Sequence, residues 1–174
     1  RKITHLKVNK SLDSNHIKEL QNIWKNSSKK MIICGSLEKS NQLNKLLSDL
    51  NNNDSLCILN ESTSNLYNEN FICCIDRTLE RVYGETEFIP ELAITIGNSI
   101  ISKKLKQLLR KNKPSHHWHI EDTNRAQDIF SSITHFIPLK PIEFFSQFIE
   151  NISIKNNSKF GEIWRTEFHL SEEF

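Results

Sequence analysis

The chain has 174 residues, a formal net charge of +2 at pH 7 and 25% charged residues. This length suits one domain that buries a sizeable core. Nucleic-acid binding would need basic residues clustered on one face, and the bulk charge gives no sign of such a cluster. The longest apolar runs fall far below the roughly 18 residues of a membrane-spanning helix, and no signal peptide is recognisable. We therefore expect a soluble chain with no nucleic acid partner and no membrane span.

The cysteines are informative about the redox environment of the protein and give no sign of cysteine-based catalysis. They stand at positions 34, 57, 73 and 74 and form no C-x-x-C pair. Cys34 and Cys57 lie inside strand-like apolar runs, where a free cysteine behaves as a small hydrophobic residue and its thiolate is disfavoured. The pattern favours a reducing, cytoplasmic setting, and the sequence shows no compelling Cys/His or Ser/His/Asp catalytic order.

The first part of the chain predicts a linker, a helix, a strand and a second helix. Residues 1–12 are interpreted as a linker from a preceding domain, because residues 1–10 have no clear period. Asp13 can cap a helix whose apolar residues follow at positions 17, 20, 23 and 24. The apolar run 30–34, closed by Gly35, is typical of a buried parallel strand followed by a turn. A leucine stripe then predicts a helix within 38–50.

The next stretch predicts a strand, a loop and an amphipathic helix. Residues 56–59 are a short apolar strand, and the polar residues 60–70 are predicted to form a loop. Apolar residues recur with helical spacing within 71–82, and the polar face of that predicted helix carries Arg77 and Arg81.

The most informative stretch is a strand, a helix and a strand in succession. Residues 92–96 predict a buried strand, Ser102 opens a helix, and residues 117–120 predict a second strand. In open α/β sheets, ligands bind beyond the carboxyl ends of the strands. The positive end of a helix dipole favours an anion there, and the ammonium groups of Lys103 and Lys104 would add to that attraction. The alternative is that both lysines are solvated surface residues, as charged side chains mostly are.

The whole pattern predicts the fold class. Residues 134–139 read as a last strand, and Pro141 suits the first turn of a helix. Strands that alternate with helices predict a doubly wound, mostly parallel α/β sheet with helices on both faces. In such a sheet, Gly35 and Gly97 follow two strands and should lie at the same edge.

The end of the chain departs from this alternation. We interpret residues 156–174 as a linker that docks on a following domain, since exposed aromatic residues usually mark a contact surface. The predicted central α/β domain therefore spans residues 13–155. The scattered apolar residues of the predicted linker are Phe160, Ile163, Trp164 and Phe168.

Two further candidate sites lie on the strand at 117–120 and directly after it. His117 and His119 share one strand face and are candidate metal ligands, but zinc needs three or four ligands and the sequence places no others nearby. A hydrogen-bonded structural role is therefore favoured. Glu121 and Asp122 resemble the acidic group that holds a ribose in dinucleotide-binding folds. The G-x-G-x-x-G turn that such sites require is absent, which argues against a nicotinamide or flavin cofactor.

Several elements of this region agree in order and spacing with one known family. The matching segments are Pro90-Glu91-Leu92-Ala93-Ile94, the turn at Gly97, Ile101-Ser102-Lys103-Lys104-Leu105 and His117-Trp118-His119-Ile120-Glu121-Asp122. They resemble the central domain of the 2-succinyl-5-enolpyruvyl-6-hydroxy-3-cyclohexene-1-carboxylate synthase family (MenD), thiamin-diphosphate enzymes of menaquinone biosynthesis. The resemblance covers 92–125, and a weaker similarity covers 31–137.

The resemblance implies a function. An intact enzyme of the family decarboxylates 2-oxoglutarate on thiamin diphosphate and adds the succinyl unit to isochorismate. The central domain would lend Lys103 and Lys104 to substrate carboxylates, with Ser102 capping their helix and Arg125 as a weaker candidate. The chain has no Gly-Asp-Gly motif, so the resemblance implies that catalytic residues, thiamin diphosphate and Mg²⁺ belong to flanking domains of a homo-oligomeric enzyme.

The chain departs from the family at two places. The family commonly has Arg at the position of Lys104, and Lys lacks the planar bidentate fork of a guanidinium. A second glycine, often present in the turn after Gly97, is missing here.

Two other functions are compatible with the sequence: a stand-alone anion- or nucleotide-binding module, and a structural scaffold.

Overall fold

The computed structural model describes residues 3–6, 11–123, 128–150, 152 and 158–173. Within these ranges the strands are β1 (Thr4–His5), β2 (Lys30–Cys34), β3 (Leu56–Asn60), β4 (Leu92–Ile96), β5 (His116–Ile120) and β6 (His135–Ile137). The α-helices are α1 (Ser14–Asn26), α2 (Asn41–Leu50), α3 (Ile75–Arg81), α4 (Lys103–Lys111), α5 (Pro141–Ile149) and α6 (Phe160–Glu172). No helix in the described ranges is both long and apolar enough to span a membrane.

The six strands form one sheet in the order β1-β6-β5-β4-β2-β3, and every neighbouring pair is parallel. All five strands predicted from apolar runs lie in this sheet, so the predicted fold class is confirmed. The chain begins the central part of the sheet with β2, places β3 on one side of it and β4 on the other, and then adds strands outward. This reversal makes the gap between β2 and β4 the topological switch point of the sheet.

Helices cover both faces of the sheet because successive strand side chains point to opposite sides. In β2, Ile32 and Cys34 pack in a core with α1, α2 and α5, whereas Met31 and Ile33 pack in a second core with α3, α4 and α6. Both faces are thus buried, which explains why the strands are continuous apolar runs rather than alternating ones.

The helix starts follow local chemistry, as the sequence predicted. The Asp13 carboxylate accepts hydrogen bonds from the backbone N–H groups of Asn15 and His16, both at 2.9 Å, and so caps α1. Pro141 occupies the first turn of α5. The helix predicted within 71–82 is shorter than expected. Ile72 pairs instead with the backbone of β3, which keeps this part of the chain extended until α3 begins.

The interpretation of 156–174 as a segment with exposed aromatic residues is wrong for its described part. Phe160, Trp164 and Phe168 are spaced four residues apart on α6 and are 2%, 0% and 2% exposed. The helix lies directly on β3, where a Cβ atom at Gly161 would come within 1.9 Å of the Leu56 carbonyl oxygen. The aromatic residues therefore complete the core of this domain.

A short segment near the start of the described residues also belongs to the sheet. The Thr4 N–H donates to the Thr134 carbonyl at 2.8 Å, and the Leu6 N–H donates to the Phe136 carbonyl at 3.1 Å. These bonds add β1 to the edge of the sheet beside β6. The links from both ends of the chain to further domains stay predictions.

Lys30 is a buried cation at the start of β2. Its side chain is 1% exposed, its Nζ donates to the Ser55 hydroxyl at 3.0 Å, and the same Nζ lies 5.2 Å from the centre of the Trp24 ring. Burial lowers the pKa of Lys30 to about 8, although Glu91 opposes the shift. Below that pH the folded chain holds a buried, charged ammonium group, which water would solvate better than the protein interior does.

We predict that Lys30→Met raises the free energy of unfolding at pH 7 by about 1–3 kcal/mol, because it removes the buried charge and keeps the volume. The pKa of Lys30 is about 8 in the folded chain and 10.5 in the unfolded chain. Between these two pH values, the unfolded chain therefore binds more protons than the folded chain. The stability of the wild type therefore rises with pH across this window, and the advantage of the variant shrinks. Urea unfolding of both chains at pH 7 and at about pH 10 measures this. A variant less stable than the wild type at pH 7 would contradict the prediction.

Candidate functional site

The predicted site begins at the carboxyl edge of the sheet, where β2 and β4 end side by side. The Ser36 N–H donates to the Asn98 carbonyl at 2.5 Å, and the Asn98 N–H donates to the Ser36 carbonyl at 3.0 Å. The two chains approach so closely that a Cβ atom at Gly35 would lie 2.1 Å from the Asn98 oxygen. Gly35 and Gly97 do share one edge, as predicted. The main chains that follow β2 and β4 thus pair with each other at the switch point, the region where ligands bind in open α/β sheets.

Ser102 caps α4 as predicted. Its hydroxyl accepts from the Leu105 N–H at 3.0 Å and donates to the carboxylate of Asp76. One carboxylate oxygen of Glu61, a buried residue just after β3, accepts from the N–H groups of Ile101 and Ser102, both at 2.9 Å. Two carboxylates of the chain itself therefore lie at the positive end of α4, where the sequence suggested a place for a substrate anion.

The two lysines differ in their surroundings. Lys104 forms an ion pair with Glu80 of α3. Lys103 is exposed, and no hydrogen bond or ion pair of its side chain is found among the described residues. Adjacent helical residues point about 100° apart, so the two side chains leave α4 in different directions. Of the two lysines, Lys103 is the one that no charged side chain in the described part of the chain pairs with.

The start of α4 is an area of mixed charge rather than a simple electropositive crevice. Three acidic side chains, Glu61, Asp76 and Glu80, contact Ser102, Lys104 or the backbone that precedes them. Sequence reasoning missed these carboxylates because they lie 24 to 41 residues away along the chain. Arg125, the fourth predicted site residue, lies outside the described residues.

The turn that leads into α4 contains one non-glycine residue with a left-handed backbone conformation. Ser99 has a φ of 51°, a left-handed conformation that favours glycine. Ile100 is buried after it, while Ile101 is 55% exposed beside the lysines.

Two cavities lie near this turn. A recess of about 300 Å³ lies at the carboxyl ends of β4 and β5, and a groove of about 770 Å³ runs between α3 and α4. Both volumes fall in or near the range of ligand pockets. The recess is lined by Gly97, Asn98, Ser99, Ile100, His119, Glu121, Thr123, Ile129 and Phe130. The groove includes Leu79, Tyr83, Phe88, Lys104, Leu108 and Lys111.

A chain of hydrogen bonds leads from this recess into the sheet. Glu121 lies 3.1 Å from His119 Nε2, and Thr95 Oγ1 lies 2.7 Å from His119 Nδ1. Thr95 Oγ1 is also 3.1 Å from His117 Nε2, and His117 Nδ1 is 2.7 Å from the Ser132 hydroxyl. Both histidines can be neutral and fully hydrogen-bonded if each donor in the chain points toward Glu121. In that arrangement Ser132 donates to His117, His117 donates to Thr95, Thr95 donates to His119, and His119 donates to Glu121. The predicted hydrogen-bonded role of the two histidines is thus confirmed.

The cysteines of the strands offer no nucleophile. Cys34 and Cys57 are fully buried, and burial raises the pKa of both thiols well above the ordinary value. A thiol that stays protonated is a poor nucleophile. The predicted structural role of both residues is consistent with this environment.

Comparison with known proteins identifies several similar synthases. The 2-succinyl-5-enolpyruvyl-6-hydroxy-3-cyclohexene-1-carboxylate synthase of Flavobacterium johnsoniae is 34% identical over 148 residues, which are 83% of this chain and 26% of the relative. The synthase of Flavobacterium psychrophilum is 36% identical over 139 residues, 78% of this chain and 25% of the relative. The synthase of Porphyromonas gingivalis is 40% identical over 73 residues, 41% of this chain and 13% of the relative.

No protein-family model matches the chain. The chain spans about a quarter of the length of the two Flavobacterium relatives, 26% and 25%. Identity of this level over about four fifths of the chain, 83% and 78%, indicates common descent. The chain belongs to the 2-succinyl-5-enolpyruvyl-6-hydroxy-3-cyclohexene-1-carboxylate synthase family.

Proposed function

We propose that the chain is the central domain of a synthase that decarboxylates 2-oxoglutarate on thiamin diphosphate and adds the succinyl unit to isochorismate. The observation that carries the proposal is the exposed position of Lys103 at the start of α4. Lys103 lies on the first turn of this helix, beyond the carboxyl end of β4, in a chain related to such synthases. A ligand at this edge of a parallel sheet meets the side chains that follow the strands.

The role we assign to this domain is to bind substrate carboxylates. Both 2-oxoglutarate and isochorismate carry two carboxylates, and an ammonium group binds a carboxylate by a charge-assisted hydrogen bond. Lys103 can bind a carboxylate without losing another contact, whereas Lys104 must first break its ion pair with Glu80. Glu61 supports the site indirectly, since its bonds to the Ile101 and Ser102 N–H groups fix the turn that presents Lys103.

The cofactor would be held elsewhere. The residues after the four glycines are Ser36, Glu85, Asn98 and Glu162, so the chain has no Gly-Asp-Gly metal motif. At the switch point, the main chains of Ser36 and Asn98 are hydrogen-bonded to each other. These residues do not fit thiamin diphosphate with Mg²⁺. The proposal therefore includes flanking cofactor-binding domains, a homo-oligomeric enzyme and a cytoplasmic location.

A binding experiment tests this division of labour. We predict that the purified chain folds but binds neither thiamin diphosphate nor Mg²⁺ and forms no product from the two substrates, because it lacks the motif that holds them. Titration calorimetry with thiamin diphosphate and Mg²⁺ measures this, and circular dichroism confirms that the sample is folded. Saturable binding of thiamin diphosphate at micromolar concentration would contradict the proposal.

A further inference from the structure

Two cysteines and a carboxylate meet where α6 ends beside α3. Cys74 is the residue that precedes α3, Cys73 is its neighbour, and Glu172 is the last residue of α6. The two sulfur atoms and one carboxylate oxygen all lie within 4.8 Å of one another. Cys73 and Glu172 are exposed and Cys74 is half-buried, so the cluster is open to solvent. The function proposed above uses none of these residues.

The three groups have the chemistry of a site for a thiophilic metal ion. Soft thiolate ligands select cations such as Zn²⁺ and Cu⁺ over Mg²⁺ and Ca²⁺. Tetrahedral zinc has Zn–S bonds of about 2.3 Å, which places two sulfur ligands about 3.8 Å apart. The observed spacing is compatible with that geometry after small side-chain rotations. We propose that Cys73, Cys74 and Glu172 bind one Zn²⁺ ion.

The fourth ligand can come from α6 as well. His169 lies one helical turn before Glu172, and its Nδ1 atom is 3.9 Å from a carboxylate oxygen of Glu172. Its side chain is about half exposed and can rotate toward the ion. A site with His169 would be closed and structural, whereas water in its place would leave an open position.

The surrounding packing holds the ligands near one another before any metal arrives. Arg81 of α3 donates to Glu167 of α6 at 2.9 Å, and the hydroxyl groups of Thr78 and Ser171 lie 3.4 Å apart. The ion would add a third link between the same two elements. Since Glu172 joins the two cysteines only in the folded arrangement, the ion should bind the folded chain more tightly than the unfolded one and stabilise the fold by mass action.

Metal binding must displace protons from the thiols. A cysteine ligates a metal ion as the thiolate, so each coordinating thiol must lose its proton. Binding should therefore release protons, and the affinity should fall as the pH is lowered. Glu172 is the only carboxylate in the cluster as defined above, so replacing it separates its contribution from that of the sulfur ligands.

The test is a competition titration of the reduced, purified chain with Zn²⁺ against a chromogenic chelator. We expect one ion per chain and a higher melting temperature with Zn²⁺. Losing an outer-shell partner of a metal site already costs roughly 10–100-fold in affinity, so Cys73→Ser or Cys74→Ser should weaken binding at least a hundredfold. Glu172→Gln should weaken it about tenfold. Glu173→Gln, a neighbouring exposed residue with the same charge change, is the matched control.

The variants separate the proposed ligands from one another. His169→Ala distinguishes the closed site from the open one, since it weakens binding only where His169 is a ligand. Unchanged Zn²⁺ affinity in both serine variants would overturn the proposal, because the ion would then be held by other residues. Equal affinities of Glu172→Gln and Glu173→Gln would overturn the three-ligand site. Circular dichroism of every variant verifies that a loss of binding is not a loss of fold.

Discussion

Replacing Lys103 by Ala in the complete synthase is expected to raise the KM for a carboxylate substrate roughly ten- to hundredfold, because a charge-assisted hydrogen bond contributes about 1.5–3 kcal/mol. If the lysine binds the ground state and the transition state equally, kcat stays near that of the wild type. Initial rates, with 2-oxoglutarate and isochorismate each varied at fixed salt, measure both constants.

The neighbouring lysines supply the controls. Lys104→Ala is expected to have a smaller effect, since Glu80 already matches the charge of Lys104. Lys113→Ala removes an exposed lysine beyond the end of α4 and should change neither constant. If Lys103→Ala and Lys104→Ala both match Lys113→Ala in kcat/KM for both substrates, the first turn of α4 is a solvated surface and the proposed role is wrong.

Trp164→Ala is expected to lower the free energy of unfolding by about 3–5 kcal/mol, the usual cost of deleting a large buried aromatic side chain. Trp164 is fully buried, and its ring packs edge to face on Phe88 with centroids 5.4 Å apart. Urea unfolding of the purified chain measures the loss. The result bears on the extent of the domain, since an exposed linker would tolerate the change.

A residue on the outer side of the same helix gives the comparison. Leu170 is 36% exposed, and Leu170→Ala should change stability by no more than about 0.5 kcal/mol, as surface substitutions usually do. Equal, small losses in the two variants would show that α6 does not contribute to the core in solution.

The strands were predictable because both faces of the sheet are buried. A run such as Met31 to Cys34 is apolar throughout, and parallel pairing followed from the helices between such runs. The helix starts at Asp13, Ser102 and Pro141 were also predictable, because a cap or an N-terminal proline acts within a few residues of its own position.

The remaining features were missed for two different reasons. The spacing of Phe160, Trp164 and Phe168 is helical, so a periodicity count could have found α6. The carboxylates around Ser102 could not be found in this way. Glu61 and Asp76 reach the start of α4 only because β3 and α3 are neighbours of that helix in space. The sequence thus predicted where the cations lie but not which charges surround them.

The bonds that hold the turn before α4 also affect the entropy of ligand binding. The Ser36 and Asn98 pair fixes one end of this turn, and Glu61 fixes the other through the amides of Ile101 and Ser102. Ordering one backbone residue costs about 1–2 kcal/mol, and folding has already met that cost here. An arriving carboxylate would have to order the Lys103 side chain alone, on a turn preorganised by a carboxylate of the same chain.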